Sequence, residues 1–384
     1  MDTDATTVFS RDIMREFAAL TGLEPPGTRP NRYLWTDAFA VCTYLALFRR
    51  TNDRSLLDRA LRLVNLVHRT LGRHRDDDPR DGWISGLSER EGALHPTLGG
   101  LRIGKRMNER GADEPPDAHE EWNRDGQYYH YLTKWMHALA RVAAVTRDPV
   151  YLRWAMELAK AAHAAFTYAL PSGGGKRMCW KMSIDLSRTL VPSMGQHDPL
   201  DGLVTYAELQ GVAARDFGGS VPLDLLRERA DAAAICRGMP LVTDDPLGIG
   251  GLLFDATRIA HLMEVGGFGD EGLLESVMDS AMIGLESYTA GRTLDLPAQH
   301  RLAFRELGLA IGITGVAECA NAFGRTDALE RRAEALVGYM PLGDAIEGFW
   351  MDERNRQART WIEHTEINMV MLAARLAPDE FLRV

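Results

Sequence analysis

Thr146-Arg147-Asp148-Pro149 separates two apolar helical stretches, and similar turns recur along the 384-residue chain. On either side of each turn, apolar residues repeat at the spacing of one helix face. The other turns are Thr51-Asn52-Asp53, Arg215-Asp216-Phe217-Gly218-Gly219, Gly267-Phe268-Gly269-Asp270 and Gly324-Arg325-Thr326-Asp327. Recurrence at this scale is typical of stacked helical hairpins, so the turns predict an all-α repeat fold.

The periodicity around these turns predicts paired helices. The pairs are Tyr33–Arg49 with Arg54–Leu71, Tyr128–Val145 with Pro149–Tyr168, Pro199–Ala214 with Pro222–Arg237, Pro246–Val265 with Glu271–Tyr288, and His300–Phe323 with Ala328–Tyr339. Trp361–Leu376 and Val8–Leu20 remain without partners. Pairing these two chain ends completes an (α/α)6 toroid of six helical hairpins, which we expect to form a single domain over residues 1–384.

Two features distinguish inner from outer helices. Inner candidates are rich in small residues, as in Gly308–Gly315, which lets helices crowd together. Outer candidates begin after aspartates that can cap a helix, namely Asp53, Asp148, Asp270 and Asp327. The longest connections, at residues 72–127, 171–198 and 341–360, all lead into inner helices. Because long loops often carry function, we expect the ligand site on the rim where the inner helices begin.

Composition excludes several kinds of partner. The formal net charge is −10, which disfavours nucleic acid and anionic membranes because phosphate binding requires a basic face. No apolar run is long enough to span a bilayer, and the acidic start Met1-Asp2-Thr3-Asp4 has no signal-peptide pattern. We therefore expect a cytoplasmic protein. The sequence does not indicate an oligomeric state.

No cofactor or metal is expected. The four cysteines are far apart, so free thiols are favoured over a disulfide framework or a zinc site: Cys42, Cys179, Cys236 and Cys319. A DDxxD pattern at residues 77–81 lies in a polar loop, and the glycine-rich residues 171–177 have no preceding strand. Neither predicts a diphosphate site.

The predicted rim concentrates aromatic and ionisable residues. Aromatic faces can stack on sugar rings, which predicts a carbohydrate-like ligand bound by Trp35, Tyr129, His130, Trp180, His197, Trp361 and His364. Paired carboxylates suit glycoside hydrolysis, in which one acid protonates the leaving oxygen and the other activates water or attacks carbon. The favoured acids are Asp37 and Asp201, with Asp198 and Glu366 as substitutes.

The stretch Trp35-Thr36-Asp37-Ala38-Phe39-Ala40 resembles the W-x-D stretch that opens an inner helix in unsaturated glucuronyl and rhamnogalacturonyl hydrolases. These enzymes belong to the six-hairpin glycosidase superfamily, whose hairpin order covers nearly the whole chain. The resemblance implies that Asp37 is a functional acid. The stretch departs from that pattern at Val41, Cys42 and Thr43.

Two other functions remain open. The predicted toroid is similar to the N-acylglucosamine 2-epimerase family, in which histidines move a proton beside a sugar carbonyl. That resemblance implies roles for His130, His197, His300 and His364. A non-catalytic toroid that binds a glycan or a protein is the third possibility, because fold alone does not decide function.

Overall fold

The structure is a computed structural model that describes residues 3–27, 31–171, 173–318, 320–324 and 326–384. Cys319, Ser172 of the glycine-rich segment and Arg325 of the last turn lie outside the described residues. In chain order the helices are α1 (Thr3–Leu20), α2 (Leu34–Thr51), α3 (Arg54–Leu71), α4 (Glu89–Leu94), α5 (Ala118–Glu121), α6 (Tyr129–Thr146), α7 (Pro149–Phe166), α8 (Asp198–Phe217), α9 (Leu226–Cys236), α10 (Pro246–Glu264), α11 (Glu271–Ala290), α12 (Ala303–Glu318), α13 (Asp327–Val337), α14 (Met340–Met351), α15 (Arg359–Ile362), α16 (Thr365–Leu376) and α17 (Asp379–Leu382).

Strands are very short. They are β1 (Gln127–Tyr128), β2 (Thr167–Ala169), β3 (Lys176–Met178), β4 (Lys181–Met182) and β5 (Thr189–Val191). β4 lies between β1 and β5 in one antiparallel sheet, and β2 pairs with β3 in another. Short 3-10 helices cover Thr293–Asp295, Ala298–His300, Ala320–Phe323 and Asn355–Gln357.

The chain divides into two compact units. The middle unit comprises Thr21–Val41 and Arg54–Met239, and the end unit comprises Met1–Leu20, Cys42–Asp53 and Pro240–Val384. In the middle unit α6 packs on α7 and α8 packs on α9; in the end unit α10 packs on α11, α12 on α13 and α16 on α1. The single domain over residues 1–384 stays a prediction.

In the middle unit α6 contacts both α7 and α8, so it organises this part of the core. Arg147 adopts a left-handed conformation (φ 61°) where α6 ends. The Asp148 carboxylate then accepts a hydrogen bond from Val150 N and caps α7, as predicted. The turn at residues 146–149 therefore ends one helix and begins the next.

In the end unit glycines allow α10 and α12 to approach closely. A Cβ on Gly250 would lie 2.3 Å from the Gly308 carbonyl oxygen, and one on Gly312 would lie 2.5 Å from the Gly250 oxygen. At the other side of this unit α1 packs along α16, where Ser10 Oγ donates to Ala373 O at 3.0 Å. The small residues of Gly308–Gly315 thus serve helix packing, as the sequence indicated.

Several predicted boundaries are wrong. The supposed loop at 341–360 contains α14, because Gly343, Ile346 and Trp350 form an apolar face that packs on α12. The helix predicted at Trp361–Leu376 is interrupted at His364 (φ −129°, ψ 34°), between α15 and α16. α9 begins later than predicted, at Leu226, and α12 is shorter than predicted. The cap of α13 is Thr326 rather than Asp327, because the Thr326 hydroxyl accepts a hydrogen bond from Leu329 N.

Among the described residues, Cys42 and Cys179 are buried cysteines that form no disulfide bond, and Cys236 is a half-buried one. Within the described part of the chain, no helix combines the length and apolar character needed to cross a bilayer.

Candidate functional site

A short sheet brings distant residues of the middle unit together. β1 leads directly into α6, and it pairs with β4 so that Tyr128 lies opposite Lys181. Trp180 immediately precedes β4 and is thereby placed beside Tyr128, with ring centroids 5.0 Å apart. The helical hairpin α6–α7 and the short β2–β3 pair lie between these two segments in sequence, so the pairing joins distant parts of the chain.

Aromatic rings stack around His130 in the first turn of α6. The His130 ring is nearly parallel to those of Tyr128 (5.4 Å, 20°) and Trp180 (6.2 Å, 13°). The ring of Tyr131 meets it edge-on at 4.9 Å, and the Tyr131 hydroxyl lies 2.7 Å from that of Tyr33. His130 and Trp180 are half-buried, so this aromatic cluster reaches the surface of the middle unit.

Asp198, the first residue of α8, faces His130. The distance from His130 Nδ1 to Asp198 Oδ1 is 3.5 Å, which is longer than an ordinary hydrogen bond. His130 Nδ1 and Asp198 Oδ2 are both buried, and neither has a hydrogen-bond partner among the described residues. The Asp198 side chain is only 7% exposed. Because a buried carboxylate normally has its lone pairs satisfied, this His130–Asp198 pair is suited to bind a polar group of a ligand.

The approach of the backbone supports this placement of Asp198. Gly195 lies so close that a Cβ at that position would be 2.3 Å from Asp198 Oδ2. A glycine is therefore required beside the carboxylate. The predicted site residue His197 is the N-cap residue of α8; it is half-buried, and its side chain makes no capping hydrogen bond.

Asp201 lies one turn further along α8 and is already engaged. Its Oδ2 atom accepts hydrogen bonds from Lys134 Nζ at 2.7 Å and from the Thr133 hydroxyl. Lys134 therefore balances the negative charge of Asp201, whereas Asp198 is paired with the imidazole of His130.

Tyr129 lies beneath both aspartates and is fully buried. Its hydroxyl is 2.6 Å from that of Tyr206. The pKa of Tyr129 is raised well above its usual value, mainly by burial. Tyr206 and then the negative charges of Asp201 and Asp198 add to the shift. Tyr129 is thus a neutral core phenol that supports the start of α8 and does not line a surface.

Asp37 occupies a different environment in the middle unit. Its carboxylate is paired with the buried guanidinium of Arg32 (Oδ1 to Nη1, 3.3 Å) and accepts from Tyr33 N at 3.2 Å. Trp35 is buried, with its ring 4.3 Å from that of Phe39. These contacts are those of a residue that fixes the start of α2.

The remaining predicted site residues lie in the end unit. Trp361 is buried against Trp350, with ring centroids 5.7 Å apart. His364 is exposed and meets Phe304 edge-on, and Glu366 lies half-buried in the first turn of α16. Within the middle unit, by contrast, His130, Trp180, Asp198 and Asp201 are brought together around α6 and α8.

Two lysines that hold neighbouring groups in place, Lys134 and Lys181, carry little sequence signal. Lys134 lies close to predicted residues in sequence, but the position of Lys181 is recognisable only from the β1–β4 pairing. No group of three or more His, Cys, Asp or Glu side chains in the described ranges is arranged to hold a metal ion.

Solved structures of carbohydrate-active enzymes share this architecture. The GH76 α-1,6-mannanase of Salegentibacter sp. is 12% identical, with a TM-score of 0.54 over 98% of this chain and 100% of that chain. The GH76 α-mannanase of Bacteroides thetaiotaomicron is 11% identical, with a TM-score of 0.54 over 97% of each chain. An inactive variant of the former enzyme, with two aspartates changed to asparagine, is in complex with α-1,6-mannotriose, at the same 12% identity, TM-score and coverage.

No family model matches this sequence, and a search of curated proteins finds no match. The structural likeness shows the fold. It confirms the predicted all-α (α/α)6 toroid of six helical hairpins.

Proposed function

We propose that this protein is a glycoside hydrolase-like enzyme whose active site is the His130–Asp198 pair with the aromatic rings beside it. The observation that carries the proposal is a buried carboxylate oxygen and a buried imidazole nitrogen that lack partners in the described chain, next to stacked aromatic faces. Aromatic faces suit the C–H-rich faces of sugar rings, and the pair can transfer a proton.

The two aspartates of α8 are suited to different tasks. Asp198 has an oxygen that can exchange a proton with a bound glycoside, so it is the candidate general acid. Asp201 is held by Lys134 and Thr133 and is suited to remain charged, which stabilises positive charge that develops on the sugar. In the hydrolysis, the glycosidic C–O bond breaks, the leaving oxygen takes a proton from Asp198, and water supplies hydroxide to the anomeric carbon and returns a proton.

A sugar isomerase is the second candidate, because His130 itself belongs to the unpartnered pair. In that reaction His130 would remove a proton from the carbon beside a sugar carbonyl. A proton from solvent would then add to the opposite face of that carbon, and His130 would release its own proton to solvent. Asp198 would orient and stabilise the imidazolium that forms.

Incubation in deuterated water separates these reactions. The substrates are free sugars and an oligosaccharide panel that includes α-1,6-mannooligosaccharides, since a protein of the same fold is known in complex with α-1,6-mannotriose. Hydrolysis yields new reducing ends without carbon-bound deuterium, whereas isomerisation places deuterium on carbon without cleavage. Mass spectrometry and NMR report both.

Variants then locate the site. Asp198→Asn is expected to abolish hydrolysis, and His130→Gln to abolish isomerisation, with folding retained. Asp216→Asn, near the other end of α8, is the matched control and should keep full turnover. Full turnover in both site variants would exclude this site, and saturable glycan binding without either reaction would favour a non-catalytic protein.

A further inference from the structure

Trp122 extends the aromatic cluster outward from the candidate active site. Its side chain is among the exposed large apolar ones, at 52% of its full surface. Its ring meets that of Trp180 edge-on, with centroids 5.1 Å apart and an interplanar angle of 73°. Since Trp180 also stacks on His130, a continuous line of rings runs from the proton-transferring pair to Trp122.

Two lysines hold the segment that carries Trp122. The Lys181 side chain is fully buried, and its Nζ atom donates to Glu121 O at 2.7 Å, to Arg124 O at 2.8 Å and to Glu121 Oε2 at 3.2 Å. Lys105 Nζ donates to the carbonyl oxygen of Trp122 itself, at 2.6 Å. The backbone on both sides of Trp122 is thereby fixed.

Burying the charged ammonium group of Lys181 is costly unless it is paired. Burial lowers the pKa of Lys181, and the nearby Glu121 carboxylate opposes that shift. Arg110 holds the same carboxylate from its other oxygen, at 2.7 Å. A buried ion pair rarely adds net stability, so it is better explained as a device that fixes geometry.

This fixation distinguishes Trp122 from scattered apolar residues on the surface. Leu226, for example, is 63% exposed in the same unit, at the start of α9. A single exposed apolar side chain needs no functional explanation, whereas a rigid tryptophan next to a sugar-binding cluster is preorganised to bind a ring.

We propose that Trp122 and Trp180 form a second sugar subsite, so that the ligand is an oligosaccharide with a distal ring on Trp122. The inference rests on the proposed function, because Trp180 links this subsite to the His130–Asp198 pair. Lys181 is a positioning residue: its Nζ atom holds the backbone on both sides of Trp122.

Titration calorimetry with oligomers of increasing length tests the subsite. Asp198→Asn protein is titrated with α-1,6-linked mannose oligomers and with β-1,4-linked glucose oligomers, from the monosaccharide to the tetrasaccharide. Affinity is expected to rise with length, and an added Trp122→Ala change should remove about tenfold of that gain without affecting the monosaccharide. Trp122→Tyr should restore most of it, and Leu226→Ala is the control without effect.

The Lys181→Met variant tests positioning. Its length-dependent gain should fall as in Trp122→Ala, while circular dichroism and monosaccharide binding stay unchanged. If it does not fold, the Trp122 series decides alone. Absence of any gain with length, or a gain that Trp122→Ala retains, overturns the subsite. The proposed function is judged separately, by the loss of turnover in Asp198→Asn.

Discussion

Replacing Asp37 with asparagine separates a structural aspartate from a catalytic one. The side chains of Arg32 and Asp37 are 0% and 2% exposed, and they pair at 3.3 Å. The substitution leaves the guanidinium charged and buried without a counter-ion. Breaking a buried pair from one side typically costs about 3–5 kcal/mol.

The lower end of that range applies here. Arg32 keeps two backbone acceptors, Thr21 O at 2.9 Å and Asn31 O at 2.6 Å, and asparagine retains one carbonyl oxygen toward Arg32 or Tyr33 N. We therefore expect Asp37→Asn to lower the free energy of unfolding by about 3 kcal/mol. Urea unfolding followed by tryptophan fluorescence measures the change, and turnover is normalised to the folded fraction.

A double variant supplies the control. Arg32→Met combined with Asp37→Asn removes both charges, so it should be more stable than Asp37→Asn alone. Turnover per folded molecule should stay within a few-fold of wild type in both proteins. An Asp37→Asn protein with wild-type stability and no turnover would refute this reasoning and support the acid that the resemblance implied.

Two further predictions concern residues packed in the core of each unit. Burial lowers the pKa of His68 to about 3, and its Nε2 accepts from Trp135 Nε1 at 3.1 Å, so the folded state holds it neutral. The unfolded state takes up this proton first, so stability should fall as pH drops below about 6.5, by about 2 kcal/mol from pH 7 to pH 5. In urea unfolding, His68→Gln should lose that part of the pH slope, and an unchanged slope contradicts the prediction. Gly250→Ala should destabilise by about 1–3 kcal/mol because its Cβ would meet the Gly308 oxygen at 2.3 Å. Thermal unfolding of both variants measures the change. Gly251→Ala is the control: a Cβ at that position would have no atom within 4 Å, so this change should be neutral or stabilising. Equal melting temperatures for the two variants would exclude the clash at Gly250.

Periodicity and turn chemistry predict the hairpins because both are local. Asp148 caps α7 from within its own turn, and Gly308–Gly315 carries its small residues in one stretch. The error at α14 has a different origin: its apolar face at Gly343, Ile346 and Trp350 has helical spacing, but it lies within a long connection whose length favours a loop.

The candidate site was harder to predict because its parts meet through strand pairing. β1 and β4 are two residues each, too short for an alternating pattern, yet their register sets Trp180 beside Tyr128. Aromatic enrichment in the long connections points to the segments that carry Tyr128 and Trp180. It could not show that Tyr129 turns into the core while Tyr128 stacks on His130.

The position of the nearest cation decides what each aspartate can do. Asp37, Asp198 and Asp201 all lie in the first turn of a helix, where the helix dipole treats them alike. Arg32 neutralises Asp37 from five residues away in sequence, and Lys134 neutralises Asp201 from a different helix. Asp198 is paired with an imidazole, a group that can accept or donate a proton. A carboxylate paired with a permanent cation keeps its charge, whereas one paired with histidine can share a proton. The same local sequence signal therefore yields one structural acid, Asp37, one acid that Lys134 holds in its charged form, Asp201, and one that can share a proton, Asp198. Only the tertiary structure separates them.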